Sequence, residues 1–203
     1  MPSSERSPRT RMEPGDRRDA ILQAAVEAFA AAPYAEVKIS DIAEAVGASS
    51  ALVYKYFANK EDLYLAVIAA AQADLADRTA AAVEALHRHT PVHAKVAALL
   101  SAYLDHVAAN PQLWALPRRQ PGSEPAAAAA LRQSAEADFL AQLRALLAPR
   151  AARRHEYALR GFFGFVEAAA LYWVGQGAPE RDRHPLIAAA QGCLEGALGD
   201  WAA

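Results

Sequence analysis

Residues 38–63 read KISDIAEAVGASSALVYKYFANKEDL. Within this stretch Ile39, Ile42, Ala43 and Val46 stand at i, i+3, i+4 and i+7, the stripe of an amphipathic helix. Gly47 follows, where a helix end favours a left-handed residue. Ser49-Ser50 opens a second short run, which turns Val53 and Phe57 to one side and Ser50, Ala51, Leu52, Tyr54 and Lys55 to the other. Asn59 is placed to cap a third helix, and Asp62, three residues on, answers its exposed amides and dipole. The spacing predicts helices over about 39–46 and 50–56, and a longer one from 60 toward His87. Two short helices around a glycine turn make a helix-turn-helix, a unit that sets its second helix into a DNA major groove.

Outward from this stretch the chain reads as helical throughout. Ile21, Leu22, Ala25, Val26 and Phe29 share one face of an expected helix over 16–32, which Pro33-Tyr34 ends. Beyond His87, helices are expected near 92–108, 111–117, 124–147, 152–175 and 185–202, separated by Pro91, Pro111, PRRQPGSEP at 117–125, Pro149 and GQGAPERDRHP at 175–185. Strand signals are nearly lacking, and the five alanines at 126–130 favour helix. The fold class expected is all-α, with a flexible arm over 1–15, a three-helix head over 16–60 and a larger helical domain over 61–203.

Composition narrows the function. Hydrophobic residues make up 54% of the 203 positions, yet charges interrupt every apolar run before it reaches membrane-spanning length. No secretory signal pattern follows the N-terminus, and a single cysteine, Cys193, suits a reducing cytoplasm. The formal net charge of −2 is unevenly spread. Lys55 and Lys60 stand in an acid-free stretch over 47–60, and the first 18 residues carry five Arg against three acids. Positive potential is therefore local to the head and its arm.

The stretch from about 18 to 65 resembles the DNA-binding domain of the TetR family of bacterial transcriptional regulators. Ile42-Ala43, Gly47-Ala48-Ser49, Tyr54-Lys55-Tyr56-Phe57 and Lys60-Glu61 carry the resemblance in their combined spacing. Two positions depart from it: Lys38 stands where Thr or Ser is common as a cap, and Ala48 where Val is common. Lys38 cannot accept amide hydrogen bonds, a loss of about 1 kcal/mol of capping, and is instead placed to meet a phosphate. The DNA-contacting set expected is Lys38, Ser49, Ser50, Ala51, Leu52, Tyr54, Lys55, Tyr56 and Lys60. The serines and first-turn amides suit phosphates or base edges, Leu52 a thymine methyl, the two phenols and Lys55 the backbone, and Lys60 a phosphate at a helix N-terminus.

The resemblance implies a C-terminal domain that binds a small molecule and dimerises. Tyr103, His106, Trp114, Phe139, Phe162, Phe163, Phe165 and Trp173 supply aromatic material for a cavity between helices, with core filling as the competing role of each. Arg118 and Arg119 either greet an anionic ligand or, in a Pro-flanked loop, face water. Gly192, Gly196 and Gly199 with Ala188 and Ala189 form a small-residue strip, and Gly161 and Gly164 thin its neighbour. In the family these helices form a four-helix interface, which here implies a homodimer through about 152–202 reading a palindromic operator. The alternative is that the strip packs inside one subunit. The expected function is a cytoplasmic repressor released from double-stranded DNA by a small-molecule inducer. The competing reading is a helical protein–protein interaction module with a vestigial head.

Enzyme readings find no support. No phosphate-binding glycine loop or nucleophile elbow occurs in a suitable context. His87, His89 and His93 cluster, but Pro91 interrupts any helix they would share, so a solvated turn is expected rather than a metal site. Cys193 has no evident activating neighbour. No cofactor is implied.

Overall fold

The computed structural model describes residues 14–147 and 153–199, and every regular element among them is helical. The expected arm, except for residues 14 and 15, lies outside the described residues. So do residue 152 and residues 200–202 of the last two expected helices. Helix α1 (Pro14–Ala31) begins inside the expected arm. Pro14 can occupy the first helical position because its missing N–H would have no intrahelical partner there. Ile21, Ala25 and Phe29, each one turn apart, bury the inner face.

Helix α2 (Ile39–Ala45) buries Ile39, Ile42 and Ala43. Lys38 is its N-cap and makes no side-chain cap hydrogen bond. Gly47 turns the chain at φ +61°. In helix α3 (Ser50–Tyr56) the Ser49 hydroxyl accepts from the Leu52 amide at 3.3 Å. In helix α4 (Lys60–Glu84) the Asn59 side chain accepts from the Asp62 amide at 2.8 Å. At 25 residues this helix is about 37 Å long. It ends short of His87, where a turn closed from the Thr90 amide to the His87 carbonyl precedes Pro91.

Helix α5 (Val92–Ala109) is followed by α6 (Pro111–Arg119), which runs two residues past its expected end and through Pro117. A proline inside a helix leaves the carbonyl four residues back without its amide. Here that carbonyl, Leu113, accepts from the Arg132 guanidinium at 3.4 Å. Helices α7 (Ala126–Leu147) and α8 (Arg153–Gly175), a short 3-10 turn at Glu180–Asp182 and α9 (Arg183–Leu198) complete the described chain. Arg154, at the start of α8, donates to the Ala197 carbonyl at the end of α9, so the two helices run antiparallel. Gly199 closes α9 at φ +77°, and a Cβ there would meet Arg154 at 2.8 Å.

Two apolar cores result. One gathers Ile21, Phe29, Ile42, Val53, Phe57 and the first half of α4; the other gathers α5, α8, α9 and the second half of α7. Three helices belong to both. In α4, Leu63 to Ile68 pack into the head while Leu75 and Val83 lie against the larger core. In α6, Leu113 enters the head core and its neighbours Trp114 and Ala115 enter the other. In α7, Ala128 and Leu131 face the head, and Phe139 to Leu143 the larger core. Helix α6 therefore cannot shift without disturbing both cores.

Candidate functional site

The outer surface of the head is built by α3 and its two caps. Val53 and Phe57 are buried, which fixes the rotation of α3 and turns Ala51, Tyr54 and Lys55 outward. Tyr54 is 49% exposed, a large exposure for an aromatic residue on a short helix. Ser50, Leu52 and Tyr56 are half-buried, and Ser49 and Lys38 are exposed. Tyr56 leans on the head core. Ser49 accepts the Leu52 amide, leaving the Ser50 and Ala51 amides without an intrahelical acceptor.

Lys60 stands apart from the rest of this set. Its ammonium donates to the Ala35 carbonyl at 3.2 Å and lies 4.5 Å from the Tyr34 ring centroid. Partial desolvation holds its pKa below the usual lysine range. Tyr34 in turn packs on Phe29 and on Tyr64, whose ring centroid is 5.0 Å away. Two basic residues outside the expected set brace the head: Arg17 donates to the Val46 carbonyl at the end of α2, and the Arg18 guanidinium lies 5.0 Å over Phe57. Both fall on α1, within the helix expected over 16–32, where the sequence shows them only as positive charge near the head.

A second candidate site lies between α4, α5, α6, α7 and α8, a cavity of about 210 Å³. Five of the eight expected aromatic and histidine residues line it: Tyr103, His106, Trp114, Phe139 and Phe163. The other three lie elsewhere. Phe162 is fully inside the larger core, Phe165 rests half-buried against it, and the Trp173 indole donates to the Pro179 carbonyl at 2.9 Å. Arg118 does not face water as a loop residue. As part of α6 it pairs with Glu167 at 2.8 Å and covers the Trp114 ring at 4.2 Å. Arg119 is exposed.

Polar residues that sequence reasoning missed complete the cavity wall. Glu124 takes Arg132 in a two-pronged ion pair at 3.0 and 3.2 Å and accepts from the Tyr64 hydroxyl of α4 at 2.7 Å. Burial, and then this carboxylate, raise the Tyr64 pKa well above the ordinary phenol value. His106 sits 3.4 Å from Asp74, yet burial outweighs that carboxylate and holds the imidazole pKa below its usual value. The Tyr103 hydroxyl is buried with no hydrogen-bond partner. A second cavity of about 280 Å³ adjoins the first along α4 and α7, sharing Gln72, Leu75, Ala135 and Phe139. Among the described residues no group of three or more His, Cys, Asp or Glu could hold a metal; His87, His89 and His93 are exposed and Cys193 is half-buried.

The two halves of this arrangement each match a family model. Residues 21–67 match the bacterial regulatory proteins of the tetR family, and residues 92–189 match the tetracyclin repressor-like C-terminal domain. The chain belongs to the TetR family. As a TetR-family protein it is a helix-turn-helix, DNA-binding transcriptional regulator. No curated protein matches it by comparison. Solved TetR-family structures share its fold. A tetR-family transcriptional regulator from Streptomyces coelicolor is 27% identical, with a TM-score of 0.74 over 92% of this chain and 80% of that one. A TetR-like regulator from Rhodococcus sp. RHA1 is 20% identical, with a TM-score of 0.76 over 94% and 100%. FadR from Bacillus subtilis, solved with stearoyl-CoA, is 19% identical, with a TM-score of 0.69 over 89% and 97%. No helix among the described residues is long and apolar enough to cross a membrane.

Proposed function

We propose that this TetR-family protein is a homodimeric repressor that a small molecule, bound in the cavity between α4 and α8, releases from a palindromic operator. The observation that carries the reading is α6. Trp114, Pro117 and Arg118 line the cavity while Leu113, one residue before Trp114, is buried in the head core. The Tyr64–Glu124–Arg132 network ties the same wall to α4. Drug-sized ligands occupy pockets of roughly 300–1,000 Å³, and this one holds about 210 Å³. Occupancy by such a ligand spreads the helices that line it, and that motion passes through α4 and α6 to the head. DNA affinity falls to the extent that the ligand prefers the spread state.

Support for dimerisation comes from the outer faces of α8 and α9. Tyr157, Gly161, Gly164, Ala168 and Tyr172 form one exposed stripe on α8, with Tyr157 and Tyr172 at 73% and 71% exposure. On α9 the exposed stripe is Pro185, Ala188, Ala189, Gly192, Gly196 and Gly199. A Cβ added at Gly161, Gly164, Gly192 or Gly196 would meet nothing within 4 Å. Packing inside one subunit therefore gives no reason for these glycines, whereas a second subunit approaching closely does. In the proposed dimer the exposed face of each α3, with Ala51, Leu52, Tyr54, Lys55 and the Ser49 and Ser50 turn, meets DNA, with Lys38 at its flank. Lys60 and Tyr56 contribute mainly by holding the head together.

The test is selection of bound duplexes from a random pool by the full-length protein. A palindrome with half-sites about 10 base pairs apart, or a multiple of that, is expected. Lys55→Ala and Tyr54→Phe should weaken binding across all sequences, Lys55→Ala with a loss of about 0.9 from the log–log salt slope. Leu52→Ala should relax preference at one base pair. Recovery of no enriched sequence would overturn the proposal.

A further inference from the structure

We propose that the cavity takes a compact organic monocation, a protonated amine on an aromatic-sized apolar body, rather than a carboxylate or an acyl thioester. This rests on the cavity being the regulatory ligand site. Four rings make its apolar wall: Tyr103 lies 6.3 Å from Trp114 and 6.1 Å from Phe139, and Phe139 lies 5.7 Å from Phe163. Arg118 already covers Trp114 at 4.2 Å, and the aromatic surface of the other three rings attracts a cation through its faces.

Charge settles which sign of ligand the wall accepts. The wall holds two guanidinium groups, and both are taken: Arg118 by Glu167 at 2.8 Å and Arg132 by Glu124 at 3.0 Å. An anion would meet guanidinium charge that Glu167 and Glu124 already neutralise at short range, and would stand beside those carboxylates in a half-buried wall. Glu136 is the third carboxylate of the wall, half-buried, and no cation pairs with it among the described residues. The wall thus carries one more acid than base. His106 adds no opposing charge near neutral pH, because burial holds its pKa low.

The Tyr103 hydroxyl supplies an independent sign that a polar atom belongs inside. Tyr103 is 3% exposed and its hydroxyl oxygen has no hydrogen-bond partner. A buried hydroxyl left so is unfavourable until something meets it, and an ammonium N–H or a ligand hydroxyl would. About 210 Å³ accommodates a small ring and its substituent without drawing on the adjoining space along α4 and α7.

The test titrates the full-length protein, by calorimetry without DNA, with three probes of one shape: phenethylammonium, 2-phenylethanol and 3-phenylpropanoate. The ammonium should bind about tenfold more tightly than the alcohol, and the propanoate most weakly. Glu136→Gln should erase the advantage of the ammonium over the alcohol while leaving the alcohol unchanged, with helicity checked by circular dichroism. Tyr103→Phe should weaken the ammonium and the alcohol alike. Tighter binding of the propanoate, an ammonium preference that survives Glu136→Gln, or no binding by any of the three would overturn the proposal. Operator binding is measured separately. A chain that binds its operator but prefers the anion loses only this inference, whereas one that binds no operator loses the repressor reading whatever the titrations give.

Discussion

Arg132→Met is the most informative single substitution in the chain. The Arg132 and Glu124 side chains are 13% and 7% exposed, and the guanidinium meets both carboxylate oxygens within 3.2 Å. Methionine fills similar space but leaves the Glu124 charge with only the Tyr64 hydroxyl at 2.7 Å. Breaking a buried pair from one side costs about 3–5 kcal/mol. The Leu113 carbonyl, already deprived of an amide by Pro117, loses its donor as well and adds about 1–3 kcal/mol. Arg132→Met/Glu124→Leu removes the stranded charge but leaves the buried Tyr64 hydroxyl without its acceptor, so the double variant should recover only part of the first cost and retain the second. Tyr64→Phe alone should cost about 1.5–3 kcal/mol, the worth of a hydrogen bond to a charged group. Urea unfolding followed by far-ultraviolet circular dichroism, at one fixed protein concentration, measures all four proteins. If Arg132→Met were no less stable than the double variant, Glu124 would have ready access to water and the buried network described above would be wrong.

Three further outcomes are expected. Gly47→Ala should destabilise the head by about 1–2 kcal/mol through its left-handed backbone alone, since a Cβ there meets nothing within 4 Å; Gly47→Asn should cost less, and equal losses in thermal melts would contradict this. His106 has a folded-state pKa below its unfolded value, so the unfolded chain binds more protons as pH falls through about 6.5, and stability should drop between about pH 7 and pH 5.5. His106→Gln should flatten that drop in a series of melts, because Asp74, held low chiefly by its Arg78 hydrogen bond, stays charged across the window. Gly164→Arg and Gly192→Arg should leave helicity intact and yield monomers in sedimentation experiments, and a persistent dimer would remove the α8–α9 face from the account.

What the sequence made legible is what local chemistry determines. Gly47 with its left-handed backbone, the Ser49 and Asn59 caps and the inward Val53 and Phe57 all act within a turn or two of themselves, and each is found where the spacing expects it. The course of α6 was not legible, because the donor that rescues a helix interrupted by Pro117 is Arg132, on another helix. Nor was the cavity wall. Arg118 meets Glu167 across 49 positions and Tyr64 meets Glu124 across 60, and no spacing rule relates such pairs. Aromatic composition pointed to the right region but could not separate Phe163, on the cavity, from Phe162 beside it, which turns into the core. The glycines of α9 were visible as a strip, while the direction they face depends on how α8 packs beside them.

The most direct test of the central claim is fluorescence anisotropy of the full-length protein on its selected duplex and on the same duplex with about five base pairs, half a helical turn, inserted between the half-sites. Two α3 helices held at a fixed separation predict tight, salt-sensitive binding to the first, with affinity for the second reduced to that for random DNA. Equal affinity for both duplexes would contradict the account, since it would leave α3 with no part in a two-fold reading of DNA.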